Sequence, residues 1–218
     1  METAAPEATA TVADTATAVA VERPLVLLYD TETQGLPDWK SPSGGEQQPH
    51  IVELYAALAD AESGHIVDEL HAIVKPEGWT IPDDVAAVHG ITTERATLEG
   101  QPEALVFTRF LQMHARAKER VGHNESFDAR IMRIAHKRYR SDEEADAFKA
   151  APAFCTMRAM TDHCKLPGKR GGYKFPSLSE AYQHFFGRPL EGAHSARTDA
   201  LAAGKLYFAL KGTIVTWG

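Results

Sequence analysis

The first strong pattern in the chain is an unbroken apolar run, Pro24-Leu-Val-Leu-Leu-Tyr29, of the kind that fills the centre of a sheet and is buried on both faces. Asp30 is read as its end. Residues 33–49, carrying Gly35, Pro37, Pro42, Gly44 and Gly45, read as a loop. Two further extended runs, Ile51 to Ala59 and Ile66 to Lys75, flank a turn at Gly64 and predict an antiparallel hairpin. Pro82 then opens a short helix through Val88 that Gly90 closes.

Beyond Pro102 the periodicity changes. Val106, Phe110, Met113 and Ala117 recur at helical steps and predict one amphipathic helix, followed by a strand at Arg120 to Gly122. The next helix starts at Asn124, a favourable N-cap residue type, and its core stripe is Phe127, Ile131, Ile134 and Ala135. A short strand near Phe154, a basic glycine-rich loop from Lys165 to Lys174, a helix from Leu178 to Phe186 and a last helix with the face Ala200, Ala203, Tyr207 and Leu210 complete the reading. Strands come first and helix-strand alternation follows. The expected fold class is therefore α/β, one mixed sheet with helices packed on its faces.

Composition bounds this picture. A chain of 218 residues that is 44% hydrophobic can bury one substantial core, so one catalytic domain over residues 23–218 is expected. Residues 1–22 are Ala/Thr-rich, with Glu2, Glu7, Asp14 and Glu22 as their only charges, and read as a disordered tail. Those four acids carry more than half of the net charge of −7, leaving −3 on the remainder, so a phosphate-bearing substrate is not excluded. The first basic residue is Arg23, which does not suit a secretory signal, and no apolar run is long enough to span a bilayer. Two cysteines, Cys155 and Cys164, suggest neither a disulfide framework nor a four-ligand zinc site, and a reducing cytoplasm is the expected location.

The candidate chemistry lies in three short segments. Asp30 and Glu32 stand two apart in an extended stretch, so both carboxylates point to one face and can share a metal ion. An Asp-x-Glu tripeptide alone is weak, since most are solvated loop acids; an apolar strand leading into it strengthens the case. The second segment, Gly122-His-Asn-Glu-Ser-Phe-Asp128, takes a strand end into a helix and places Asp128 in the first turn, where an acid also simply complements the helix dipole. In the third, His194-Ser-Ala-Arg-Thr-Asp199, a separation of five residues requires His194 to sit on the loop before the helix if it is to share a site with Asp199.

Jointly the three resemble the DEDDh family of 3′-to-5′ exonucleases, the DnaQ-like group within the RNase H-like superfamily. The family pattern is matched by Asp30-Thr-Glu-Thr-Gln-Gly-Leu36, His123-Asn-Glu-Ser-Phe-Asp128 and His194 through Asp199, in that order, with His89-Gly-Ile-Thr92 between. Ser195, where a sister group has Tyr, indicates the histidine version; Gln34 stands where Thr or Ser is usual. The resemblance implies an RNase H-like five-stranded mixed sheet flanked by helices. It implies Asp30, Glu32, Asp128 and Asp199 as ligands of two divalent ions, Mg²⁺ or Mn²⁺, about 4 Å apart. His194 is implied as the general base, imidazole being the side chain that titrates near neutral pH. Thr31, Thr33, Gly35, Leu36, His89, Asn124 and Phe127 are implied as the pocket for the terminal nucleotide.

The implied activity is removal of nucleoside 5′-monophosphates from the 3′ end of DNA, with single strands preferred. The alternatives are an exoribonuclease of the same family and a binding module that only recognises strand ends. A polymerase or another replication or repair protein is the implied partner class, with no membrane involved. Of the basic residues, the stripe Arg130, Arg133, Lys137 and Arg140 reads as a solvated helix face, with Asp142, Glu143 and Glu144 near enough to offset it. The loop bearing Lys165, Lys169, Arg170, Tyr173 and Lys174 is the better candidate for phosphate contact, since an aromatic among cations suits single-stranded nucleic acid.

Overall fold

The computed structural model describes residues 23–217, so the tail expected over residues 1–22 lies outside the described residues. At its centre is β1 (Leu25–Thr33), flanked by β2 (Ile51–Asp60) on one side and β4 (Ala117–Gly122) on the other. With β3 (Ile66–Ile73) and β5 (Ala153–Cys155) at the edges, the five strands run in the order β3-β2-β1-β4-β5. The β1–β2 and β2–β3 pairs are antiparallel and the β1–β4 and β4–β5 pairs parallel, which makes this the expected mixed sheet.

The continuous apolar run of β1 has a simple cause. Leu27 and Tyr29 face a cluster built with α3 (Glu103–His114) and α4 (Glu125–Tyr139), through Val106, Phe107, Phe110, Ile131 and Ile134. Val26 and Leu28 face the opposite cluster, where α8 (Ala196–Leu210) contributes Ala196, Ala200, Tyr207 and Phe208. Both faces of the strand are therefore covered, and each buried aliphatic side chain stabilises the fold by about 1.5–3 kcal/mol. Gly204 lets α8 come this close, because a Cβ there would meet Leu28 Cδ1 at 2.6 Å.

Four details differ from the sequence reading. The strand does not end at Asp30 but continues to Thr33, carried by pairing to β2 through Glu32 opposite Glu53. Ala117 belongs to β4, not to the helix before it; α3 stops at His114 and the chain turns into the sheet. Asn124 flanks α4 in the left-handed region (φ 60°) without a side-chain capping bond. The third strand stops at Ile73, and Val74 instead bridges to Gln101. The short helix is α1 (Asp83–His89), closed at Gly90 as expected. Three helices that the periodicity did not announce are α2 (Thr93–Glu99), α5 (Asp142–Ala150) and α6 (Thr156–Cys164), each short; α7 (Leu178–Phe186) matches its expected bounds. No helix among the described residues is long and apolar enough to cross a membrane.

Candidate active site

Strand parity decides which acids meet. Even-numbered positions of β1 face α8, so Asp30 and Glu32 continue the side of Val26 and Leu28, while Thr31 continues the side of Leu27 and Tyr29. Asp199 lies in the first turn of α8, on that same side of the sheet. Asp30, Glu32 and Asp199 can each turn one oxygen so that all three lie within 4.8 Å of one another. Asp128 comes from α4 on the other face and stands beside this group rather than in it. Its Oδ1 accepts the backbone N–H of Thr31 at 3.0 Å and the Thr31 hydroxyl at 2.7 Å.

The electrostatics are those of crowded carboxylates. Burial, and then the charges of Asp128, Asp199 and Glu32, hold Asp30 well above the usual carboxylate range. Burial and the charges of Asp199 and Glu53 push Glu32 up to about 8. Burial pushes Asp128 up to about 7 although both hydrogen bonds from Thr31 oppose it. Asp199 is raised by burial too, with the His194 N–H working against the shift. One oxygen of Asp199, Oδ1, is buried without a hydrogen-bond partner. A hard divalent cation fits this set: the donors are oxygens, one of them orphaned, and each acid resists ionising until positive charge arrives.

His194 sits on the loop before α8, as the spacing required, exposed and in the left-handed region (φ 67°), and its N–H donates to Asp199 Oδ2 at 3.2 Å. The implied nucleotide-binding residues also gather. Thr31, Thr33, Gly35, Leu36, His89 and Phe127 line a cleft of about 570 Å³ together with Glu32, Val85 and Val88. Leu36 is 84% exposed at its mouth. Asn124, the seventh, is exposed and does not line it. Gln34 turns away, donating to the Thr80 carbonyl at 2.9 Å.

Glu53 escaped the sequence reading. It sits on the α8 side of β2, and its two oxygens accept the Ala196 N–H at 2.9 Å and meet His71 Nε2 at 2.7 Å, so it pins the start of the helix that carries Asp199. As the lone charge in the otherwise apolar run Ile51 to Ala59, it could have been suspected of a structural partner. The basic stripe on α4 is used internally. Arg130 binds Ser43 Oγ and the carbonyls of Asp38 and Ser41, Lys137 pairs with Asp142, and Arg133 with Asp146.

The RNase_T exonuclease family model matches residues 27–207. The chain belongs to this exonuclease family. Its acid- and histidine-bearing segments are those of the DEDDh-type, DnaQ-like group, and its fold is RNase H-like. No curated protein matches its sequence. Among solved structures, E. coli Exonuclease I in complex with a dT13 oligonucleotide aligns with a TM-score of 0.68 at 18% identity over 87% of this chain. The zinc-bound E. coli Exonuclease I–ssDNA complex aligns with a TM-score of 0.65 at 19% identity over 87%, and an Exonuclease I complex with SSB-Ct with 0.61 at 17% over 86%. Each match takes in 41% of the other chain, so this chain spans about two fifths of their length.

Proposed function

We propose that this exonuclease removes nucleotides one at a time from the 3′ end of DNA, preferring single strands and releasing nucleoside 5′-monophosphates. The observation that carries the reading is the juxtaposition of the Asp30, Glu32 and Asp199 oxygens with a cleft that Glu32 itself lines. Asp30, Glu32, Asp199 and Asp128 would hold two divalent ions, Mg²⁺ or Mn²⁺, which supply Lewis-acid polarisation of the phosphate and a lowered pKa of water. An imidazole nitrogen of His194 takes the proton of the attacking water, and exposure of that ring leaves it free to turn over the carboxylates. The cleft receives the terminal nucleotide: Phe127 and Leu36 offer apolar surface to its base, and Gly35 allows close backbone approach. Asn124 is proposed at the rim of that pocket.

The test is digestion of 5′-labelled single-stranded DNA with Mg²⁺, with Mn²⁺ and with chelator, beside Asp30→Asn and a matched RNA strand. A metal-dependent ladder that shortens from the 3′ end, absent in the variant and weaker on RNA, is the expected result. Products shortened from the 5′ end, or cleavage unaffected by chelator, would overturn the reading. Preferred digestion of RNA would keep the chemistry and move the substrate to the exoribonuclease class.

A further inference from the structure

We propose that residues 165–175, the segment between α6 and α7, form a finger along which a single-stranded nucleic acid runs outward from the active site. Phe175 and Tyr173 are its base platforms, and Lys169 and Arg170 its phosphate contacts. The proposal takes from the exonuclease reading only the position of the strand end.

The finger is a built hairpin. The Gly168 N–H donates to the Gly172 carbonyl at 2.9 Å and the Lys174 N–H to the Leu166 carbonyl at 2.9 Å, with Tyr173 bridged to Pro167. Gly171 and Gly172 take the positive φ values, 85° and 67°, that turn the tip at Lys169 and Arg170. Its base is fixed at the site. His123 Nε2 donates to the Pro176 carbonyl at 3.1 Å while Nδ1 meets Thr156 Oγ1 at 3.0 Å. His123 directly follows β4, and the parallel register that pairs Leu28 with Val121 puts it at the same end of the sheet as Asp30. Phe175 is thus next to the anchor, Tyr173 follows along the hairpin, and the two cations lie at its tip.

The two aromatic rings and the tip cations of the finger, unlike Leu166 and Lys174, serve no packing or ion-pair role among the described residues. Tyr173 is 50% exposed and Phe175 59%, with neither drawn into a core cluster. The segment contains no acid; Lys174 is paired with Glu180 at 2.6 Å, while Lys165, Lys169 and Arg170 make no salt bridge among the described residues. On a chain of net charge −7 this is a local concentration of positive charge interleaved with aromatic rings. A single strand, with a phosphate and a stackable base at each step, matches both features.

The experiment uses the full chain and a fluorescein-labelled oligothymidylate, with anisotropy read in chelator so that nothing is cleaved. Hydrolysis of thymidine 5′-(p-nitrophenyl phosphate) with Mn²⁺ is read in parallel, since that small diester is too short to reach the finger. Tyr173→Ala/Phe175→Ala should weaken oligonucleotide binding at least about 5-fold. Lys169→Ala/Arg170→Ala should lower the slope of log affinity against log salt by about 1.4, the share of two phosphate contacts on a single strand. Both variants should hydrolyse the small diester at the wild-type rate. Unchanged oligonucleotide affinity in both variants would overturn the finger, and so would a matching loss on the small diester, which would mean that the segment only props the site. Wild-type protein that cleaves the small diester but does not bind the oligonucleotide would overturn it as well. Finger-dependent binding without any hydrolysis would instead uphold the finger and sink the catalytic reading.

Discussion

Asp128 accepts two hydrogen bonds from Thr31, the residue that stands between Asp30 and Glu32 on β1, so the fourth acid is held by the same strand that presents the first two. Thr31 is 5% exposed and points to the α4 side while its neighbours point to the α8 side. It therefore couples the two faces of the sheet at the site. Thr31→Val keeps the shape and the backbone N–H but removes the hydroxyl. Exonuclease turnover should fall on the order of 10-fold, and stability by about 1–3 kcal/mol, because a hydrogen bond to a charged group is lost. Steady-state kinetics and urea unfolding check both; unaltered turnover would mean that the position of Asp128 does not matter to the chemistry.

Crowding of the acids predicts a pH dependence. In the unfolded chain these carboxylates titrate near pH 4. In the folded protein Asp128 is pushed up to about 7 and Glu32 to about 8. The folded state thus holds more protons between those limits, and the corresponding stability is lost as pH rises from about 4 through about 8. In chelator the melting temperature should fall over that range. Millimolar Mg²⁺ or Mn²⁺ at about pH 8 should raise it again by binding the folded state. A melting temperature indifferent to metal at that pH would count against the carboxylate group as a cation site.

Removal of His194 separates chemistry from folding. His194→Asn suits the left-handed backbone and leaves the N–H to Asp199 Oδ2 in place. Hydrolysis should drop on the order of 10²–10⁴-fold. Melting temperature and oligonucleotide affinity in chelator should not move, since the ring is exposed. Equal loss of binding and turnover would assign His194 to substrate holding instead.

A buried ion pair braces the segment that presents Asp128. Arg120 Nε donates to Glu125 Oε1 at 2.6 Å, Tyr29 donates its hydroxyl to the same oxygen at 2.9 Å, and the guanidinium also reaches the Phe148 carbonyl. Arg120→Met leaves the Glu125 charge buried and unpaired, and should cost about 3–5 kcal/mol in urea unfolding. Glu125→Gln, which keeps an acceptor, should be less harmful than Glu125→Leu. The opposite order would show the pair to be dispensable for stability.

Much of this was legible without coordinates. Apolar runs marked β1 and β2, helical steps marked α3, α4 and α8, and helix α7 fell within its expected limits. Helices α2, α5 and α6 were not, because seven to nine residues give too few turns for a stripe to stand out, and none carries both a proline at its start and a glycine at its end, the signals that marked the equally short α1. Asn124 looked like a cap from residue type, yet the chain must turn sharply from β4 into α4, and the left-handed conformation wins over the capping bond. Basic spacing on α4 suggested a solvated face, whereas Arg130 is spent organising the loop of residues 38–43.

By itself the sequence determined the strand and helix periods, the residue types of the acids and histidine, and their order along the chain, since each is a local property of neighbouring residues. Only the tertiary structure decided that Asp30, Glu32 and Asp199 converge while Asp128 approaches from the opposite face, and that Glu53 serves α8. The reason is physical: alternation along a strand assigns each side chain to a face, but which helix covers that face is chosen by packing between segments far apart in the chain.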